Sequence, residues 1–290
     1  MTEPESHARP KRPSPERGPD PAEAKKQLDA FVADVKSTVA RLKSNRTLGA
    51  NAVVVDPGGH TFPTIGAALA SITDASQKKQ YVVSIGPGTY NEVVTCKPWV
   101  FLAGSGRGQT IIAAPSQTDP AKKGTIRASS HSAIQDSTVQ ATRGPAGGFV
   151  VAVDCQNAVD FDIENCELMA SDPTNTAPLN AIAIDDWMGT GSQINIAYTT
   201  VTASGGAVPL AINVYYAAYA HGTESKFIAQ GGKNPGWGGA AADTSTFLVE
   251  DSYVEGAGYC LVRDNNPKTS ITANHCQLKG PVGPGVVVNP

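Results

Sequence analysis

The chain has 290 residues, 40% of them hydrophobic and only 17% charged, with a formal net charge of -3. That length suits one large domain with a real core, or two small ones, and the slightly acidic balance gives no electrostatic basis for a nucleic-acid partner. No apolar run approaches the roughly eighteen residues of a membrane span, and the opening residues lack the hydrophobic core of a secretory signal, so neither a membrane nor export is expected and the compartment is cytoplasmic by default.

Residues 1–19 carry five prolines among charges and read as a disordered tail. Asp20-Pro21 then opens a helix over 20–44, with Asp20 as N-cap and Glu23 as its capping-box partner. Leu28, Val32, Val35, Val39 and Leu42 form an apolar stripe at heptad spacing. The stripe either lies on the body of the same chain or joins copies into a homo-oligomer, and spacing alone leaves both open. After a polar link at 44–50, Ala52–Val55 reads as a strand. Thr61 is the expected cap of a short helix from Pro63, with Ile65, Leu69 and Ile72 on one face. Tyr81–Ile85, Val93-Val94, Val100–Leu102 and Thr110–Ile112 follow as short strands.

A repeat then takes over. Ile163-Glu164-Asn165-Cys166-Glu167-Leu168-Met169-Ala170 is an aliphatic residue, a spacer, a small polar pair, a spacer, an aliphatic residue, a spacer, then Ala or Gly. Related octads start at Ile134, Ile196, Val249 and, more loosely, Ala273, with a degraded copy ending at Phe227–Ala229. The second aliphatic positions are Val139, Leu168, Val201, Phe227, Val254 and Leu278, at gaps of 29, 33, 26, 27 and 24 residues. A period in that range marks a solenoid, in which each repeat buries its apolar edge against its neighbours. Asp136, Asn165 and Asp251 fall where the chain must bend. A second strand series comprises Phe149–Asp154, Ala181–Asp185, Leu210–Tyr215, Tyr259–Asp264 and Val286–Asn289. The five cysteines contain no Cys-x-x-Cys pair, and Cys166 and Cys276 share one place in the repeat, so the expectation is buried, reduced thiols and no metal or cofactor.

Val53-Val54-Val55-Asp56, Phe62-x-Thr64-Ile65-x-x-Ala68-Leu69, Tyr81-Val82-Val83-x-Ile85-x-Pro87-Gly88-x-Tyr90-x-Glu92 and Leu102-x-Gly104-x-Gly106-x-Gly108-x-Thr110-Ile111-Ile112 occur in order. Together they resemble the opening of the pectin methylesterases. The resemblance implies an all-β fold, a single-stranded right-handed parallel β-helix over residues 50–290 with a short capping helix, preceded here by the N-terminal amphipathic helix. The same resemblance makes Gly104–Gly108 a tight turn instead of a phosphate loop.

That family hydrolyses methyl esters with two aspartates, one nucleophilic and one acid/base, beside an arginine and oxyanion-stabilising glutamines. Carried across residue by residue, its Gln-Ala-Val-Ala-Leu segment falls on Gly148–Val153, without the glutamine. Its Gln-Asp-Thr-Leu segment falls near Leu179-Asn180-Ala181-Ile182, without glutamine or aspartate. Its Asp-Phe-Ile-Phe-Gly segment falls on Pro209–Asn213, with proline in place of the second aspartate. The counterpart of Gly-Arg-Pro-Trp, around Gly236-Trp237-Gly238-Gly239, has no arginine. Methylesterase activity is therefore not expected. No Gly-x-Ser-x-Gly motif supports Ser-His-Asp hydrolysis, and the histidines lack ligand spacing.

What remains on the second series is Asp154, Asp185-Asp186-Trp187, Tyr215-Tyr216 with Tyr219, and Arg263-Asp264, together with Trp237 in what reads as a glycine-rich loop, Gly231–Gly239. Aromatic faces beside carboxylates suit a sugar, because rings stack on C–H faces and acids bind hydroxyls. The competing reading is turn chemistry, in which Asp simply ends strands. The leading expectation is a catalytically silent, pectin methylesterase-like β-helix that binds a polysaccharide or small-molecule ligand along its sheet wall. The alternatives are an assembly module joined through the N-terminal helix, and an enzyme of lyase or cyclase type using Asp154, Asp185, Asp186 and Arg263.

Overall fold

A computed structural model describes residues 51–58, 62–119, 123–145, 147–174, 180–187 and 191–290. The tail, the 20–44 helix and its stripe of Leu28, Val32, Val35, Val39 and Leu42 lie outside the described residues, as does Thr61. Residues 50–290 make one compact unit.

The described chain is almost entirely short strands in three all-parallel sheets of ten, eight and seven strands, plus one helix, α1, at Ile65–Ser71. Each coil gives one strand to each sheet in turn. In the coil at the centre of the repeat these are Phe161–Glu164, Glu167–Asp172 and Ala181–Asp186. Crossovers between parallel strands are right-handed, so the chain winds as a right-handed parallel β-helix. Thr64, not Thr61, caps α1: its hydroxyl accepts from the Ala67 N–H at 3.1 Å, and the Glu92 carboxylate accepts from the Ile65 and Gly66 N–H groups at 2.8 Å each.

The sequence octad spans a corner. Its first aliphatic residue ends a strand of the ten-stranded sheet, its polar pair turns the chain, and its second aliphatic residue enters the eight-stranded sheet. The register pairs Val139 with Leu168, Leu168 with Val201, Val201 with Phe227, Phe227 with Val254 and Val254 with Leu278. The unequal gaps therefore measure loop insertions between coils that remain in step. The first residue of the polar pair is left-handed in every coil: Asp136, Asn165, Tyr198, Glu224, Asp251 and His275 have φ between 45° and 53°.

The second residue of the pair builds a ladder. Ser137, Thr199, Ser225 and Ser252 each donate a hydroxyl to the carbonyl two residues back, at 2.6 to 3.0 Å, and the Cys166 and Cys276 thiols do the same at 3.3 and 3.2 Å. The Thr199, Ser225 and Ser252 oxygens also accept from the Cys166, Thr199 and Ser225 N–H groups of the preceding coil, at 3.0 to 3.2 Å. Small polar residues are needed here because each buried corner N–H would otherwise lack an acceptor. All five cysteines are free thiols, four of them buried. Cys166 and Cys276 share the ladder, separated by Thr199, Ser225 and Ser252.

Aliphatic columns fill the interior, among them Leu102, Ile134, Ile163 and Ile196. The column breaks at Gly222, where a Cβ would stand 2.7 Å from the Phe227 ring. That ring and Phe247, edge to face at 5.6 Å, occupy the space instead. Two elements differ from the sequence expectation. Trp237–Ala241 is a strand of the seven-stranded sheet between Leu210–Val214 and Tyr259–Arg263, not part of a loop. Val287–Asn289 pairs with Thr272–Asn274 in the ten-stranded sheet and is not a wall strand. Short apolar runs carry no label for which of three sheets they join; coil register decides it.

Candidate functional site

The seven-stranded sheet is the wall in question. Its central strands are Val150–Asp154, Ala181–Asp186, Leu210–Val214 and Trp237–Ala241. Strict alternation fails in them: Ala152-Val153, Ala183-Ile184 and Ala211-Ile212 are consecutive residues that all belong to the interior core. Facing parity therefore flips within each strand. Val151, Ile182, Leu210 and Ala240 form a separate apolar cluster, with Phe149 and Trp237 packed against it. Beyond the flip, Asp154, Asp185 and Asn213 stack on successive coils as register partners.

A pocket of about 380 Å³ opens on this wall. Phe149, Ile182 and Leu210 line its apolar part, and Trp187, Tyr215 and Trp237 supply aromatic surface. Asn180, Asp185 and Asn213 are its polar lining. Asn213 donates its Nδ2 to Asp185 Oδ1 at 2.8 Å, and Asn180 Oδ1 accepts the Val208 N–H at 3.1 Å.

Behind the pocket lies a residue that sequence reasoning missed. Lys123 is fully buried and ion-paired through Nζ with Asp185 Oδ2, whose side chain is 1% exposed. Its ammonium sits 4.9 Å from the Trp187 ring centroid and 5.8 Å from that of Phe149. The backbone makes room at Gly124, with φ of 97°, where a Cβ would come within 2.8 Å of the Asp154 Cβ. Ala121-Lys122-Lys123-Gly124 looks like a solvated turn, and nothing local marks Lys123 as interior. The only hint is the combination of a Lys-Gly step with an unmatched aspartate two coils on.

Asp154 is 5% exposed, and its Oδ1 has no hydrogen-bond partner. Burial pushes its carboxyl up to about 7; Lys123 opposes the shift and Asp185 adds to it. Asp186 faces the other way. Its register partners Val214 and Ala241 are core residues, so its side chain points into the solenoid, where Ser192 Oγ donates to Oδ1 at 2.9 Å. Burial likewise pushes Asp186 up to about 7, against the Ser192 bond.

The other residues singled out from sequence lie elsewhere. Tyr216 is a left-handed turn residue, 40% exposed, with its ring tilted 6.1 Å from that of Tyr215. Tyr219 begins a strand of the ten-stranded sheet. Arg263 donates to the carbonyls of Gly285, Asp264 and Asn266 at 2.9 to 3.0 Å, and Asp264 accepts from the Asp243 and Asn266 N–H groups at 2.9 and 3.1 Å. Both are turn-building residues outside the pocket. Asp186 points inward and Arg263 lies outside the pocket, so neither stands with Asp154 and Asp185 in the arrangement drawn for an enzyme of lyase or cyclase type. Among the described residues no group of three or more His, Cys, Asp or Glu is placed to hold a metal ion, and no helix is long and apolar enough to cross a membrane.

With this geometry in hand, comparison with known proteins places the fold. The family model for Pectinesterase matches residues 51–175. Pectinesterase 2 of Arabidopsis thaliana is 39% identical over 75 residues, which cover 25% of this chain and 13% of that relative's length. Among solved structures, the Aspergillus niger pectin methylesterase superposes with a TM-score of 0.54 at 16% identity, covering 83% of this chain and 81% of its own. The Erwinia chrysanthemi pectin methylesterase PemA gives 0.52 at 14% identity, covering 80% of each chain.

The fold is that of the pectin methylesterases.

In this pectin methylesterase-like solenoid, Phe149, Asn180, Leu210 and Trp237 stand at or just before the first residues of the wall strands. The acidic residues lie at the far ends of the same strands, in the layer of Asp154, Asp185 and Asn213.

Proposed function

We propose that the chain is a saccharide-binding β-helix that does not hydrolyse methyl esters at the position the family uses. The observation that carries this reading is the wall pocket. Trp187, Tyr215 and Trp237 offer ring faces for sugar C–H groups, while the Asn213 and Asn180 amides offer hydrogen-bonding partners for hydroxyls. Hydrolysis by the family's route needs a carboxylate nucleophile beside a protonated partner. Carried across residue by residue, the family's two aspartates fall near Asn180 and on Pro209, neither of which is a carboxylate. Asp185 is a poor substitute nucleophile, since one oxygen is paired with Lys123 and the other accepts from Asn213.

Two measurements test the proposal together. Calorimetric titration of a panel of oligosaccharides into the full chain should show saturable binding, weakened by Trp187→Ala or Trp237→Leu. Methanol release from highly esterified pectin should not exceed the buffer rate. No binding at millimolar ligand sinks the first half, and enzyme-dependent methanol release sinks the second.

A further inference from the structure

The pocket's charge arrangement says which saccharides it would take. Lys123, the cation nearest to it among the described residues, is wholly enclosed: its ammonium is committed to Asp185 and covered by the Trp187 and Phe149 rings, and it has no exposed surface from which to reach a ligand. Arg127 stands one coil beyond Asp154 and does not line the pocket. Arg263 spends its guanidinium on three backbone carbonyls. Among the described residues, the lining therefore contains aromatic and aliphatic surface, two amides, one tyrosine and one carboxylate, and no cation.

From this we infer that the pocket selects uncharged pyranose units and excludes free uronates. The inference rests on the saccharide-binding reading and deepens it. A neutral sugar can exchange hydrogen bonds with the Asn213 and Asn180 amides while its apolar face lies on a ring. A uronate carboxylate would leave water for the same surface and gain no cation there. A carboxylate taken out of water without a partner is strongly disfavoured. Lys123 is the device that makes this work. It neutralises the Asp185 beside the pocket from behind without offering its own positive charge to the ligand.

The experiment uses matched probes on the full chain. Hexagalacturonate is titrated beside the α-1,4-galactose hexamer made from it by carboxyl reduction, and beside cellohexaose and mannohexaose. The expected result is that the tightest neutral hexamer binds at least about tenfold more tightly than hexagalacturonate. Equal or tighter binding of hexagalacturonate overturns the inference and leaves the binding reading standing. Failure of every probe overturns both. Two variants isolate the charge: Trp237→Leu removes the ring, and Trp237→Arg also adds a cation to the lining. Relative to Trp237→Leu, Trp237→Arg should narrow the neutral-to-uronate ratio by at least about fivefold. An unchanged ratio between the two variants means that charge does not govern selection, and also overturns the inference.

Discussion

Replacing Lys123 with Met tests the electrostatic account of the wall directly. Methionine preserves much of the unbranched stem that packs between Phe149 and Trp187, so the main change is loss of the ammonium. Asp185 would then be a carboxylate 1% exposed, with only the Asn213 amide for company. Removing one partner of a buried ion pair typically costs about 3–5 kcal/mol, most of it the penalty of the charge left behind. For a domain of this size each kcal/mol lowers Tm by roughly 2–4 °C, so the variant should melt about 6–20 °C below the parent in a calorimetric scan. The double variant Lys123→Met with Asp185→Asn removes the stranded charge and should recover much of the loss. A coupling energy of at least about 2 kcal/mol across the cycle is expected. A single-variant loss below about 1 kcal/mol, or simple additivity in the cycle, would refute the view that the two groups form a mutually dependent buried pair.

Three further outcomes follow from the same structure. Asp154 and Asp186 have carboxyls raised to about 7, so the fold holds protons that the unfolded chain releases near 3.8; stability should fall as pH rises from about 4 to 7, by up to roughly 1.4 kcal/mol per pH unit for each group, and Asp186→Asn should flatten that slope in denaturant titrations. Thr199→Val removes the hydroxyl that accepts from the Cys166 N–H, leaving a buried corner donor unpaired at about 1–3 kcal/mol, whereas Thr202→Val in the adjacent strand should change the urea midpoint little. Deleting residues 1–45 should lower the mass measured by light scattering if the Leu28–Leu42 stripe joins copies of the chain, and an unchanged mass excludes assembly through that segment.

Part of this protein is written locally. The ordered motifs between Val53 and Ile112 and the returning octad give the solenoid and the places of its corners, because a β-helix is stabilised by nearest-neighbour stacking of like residues. Asp136, Asn165 and Asp251 mark corners from their own conformational preferences, and the alternation of Ile163, Leu168 and Ala170 shows which side is interior. Tertiary structure alone decided the site. Asp185 and Asp186 are indistinguishable in sequence; the consecutive core residues Ala183 and Ile184 flip the strand's parity, sending one carboxylate to the wall and the other inside. Trp237 is read as loop from its glycines, and only register with Leu210 and Tyr259 makes it a wall strand. Lys123 looks like a solvated turn residue until the winding of two further coils brings Asp185 onto its ammonium and Trp187 over it. A periodic pattern records how each coil meets the next, while the charge and shape of the wall depend on which outward side chains from separate coils converge.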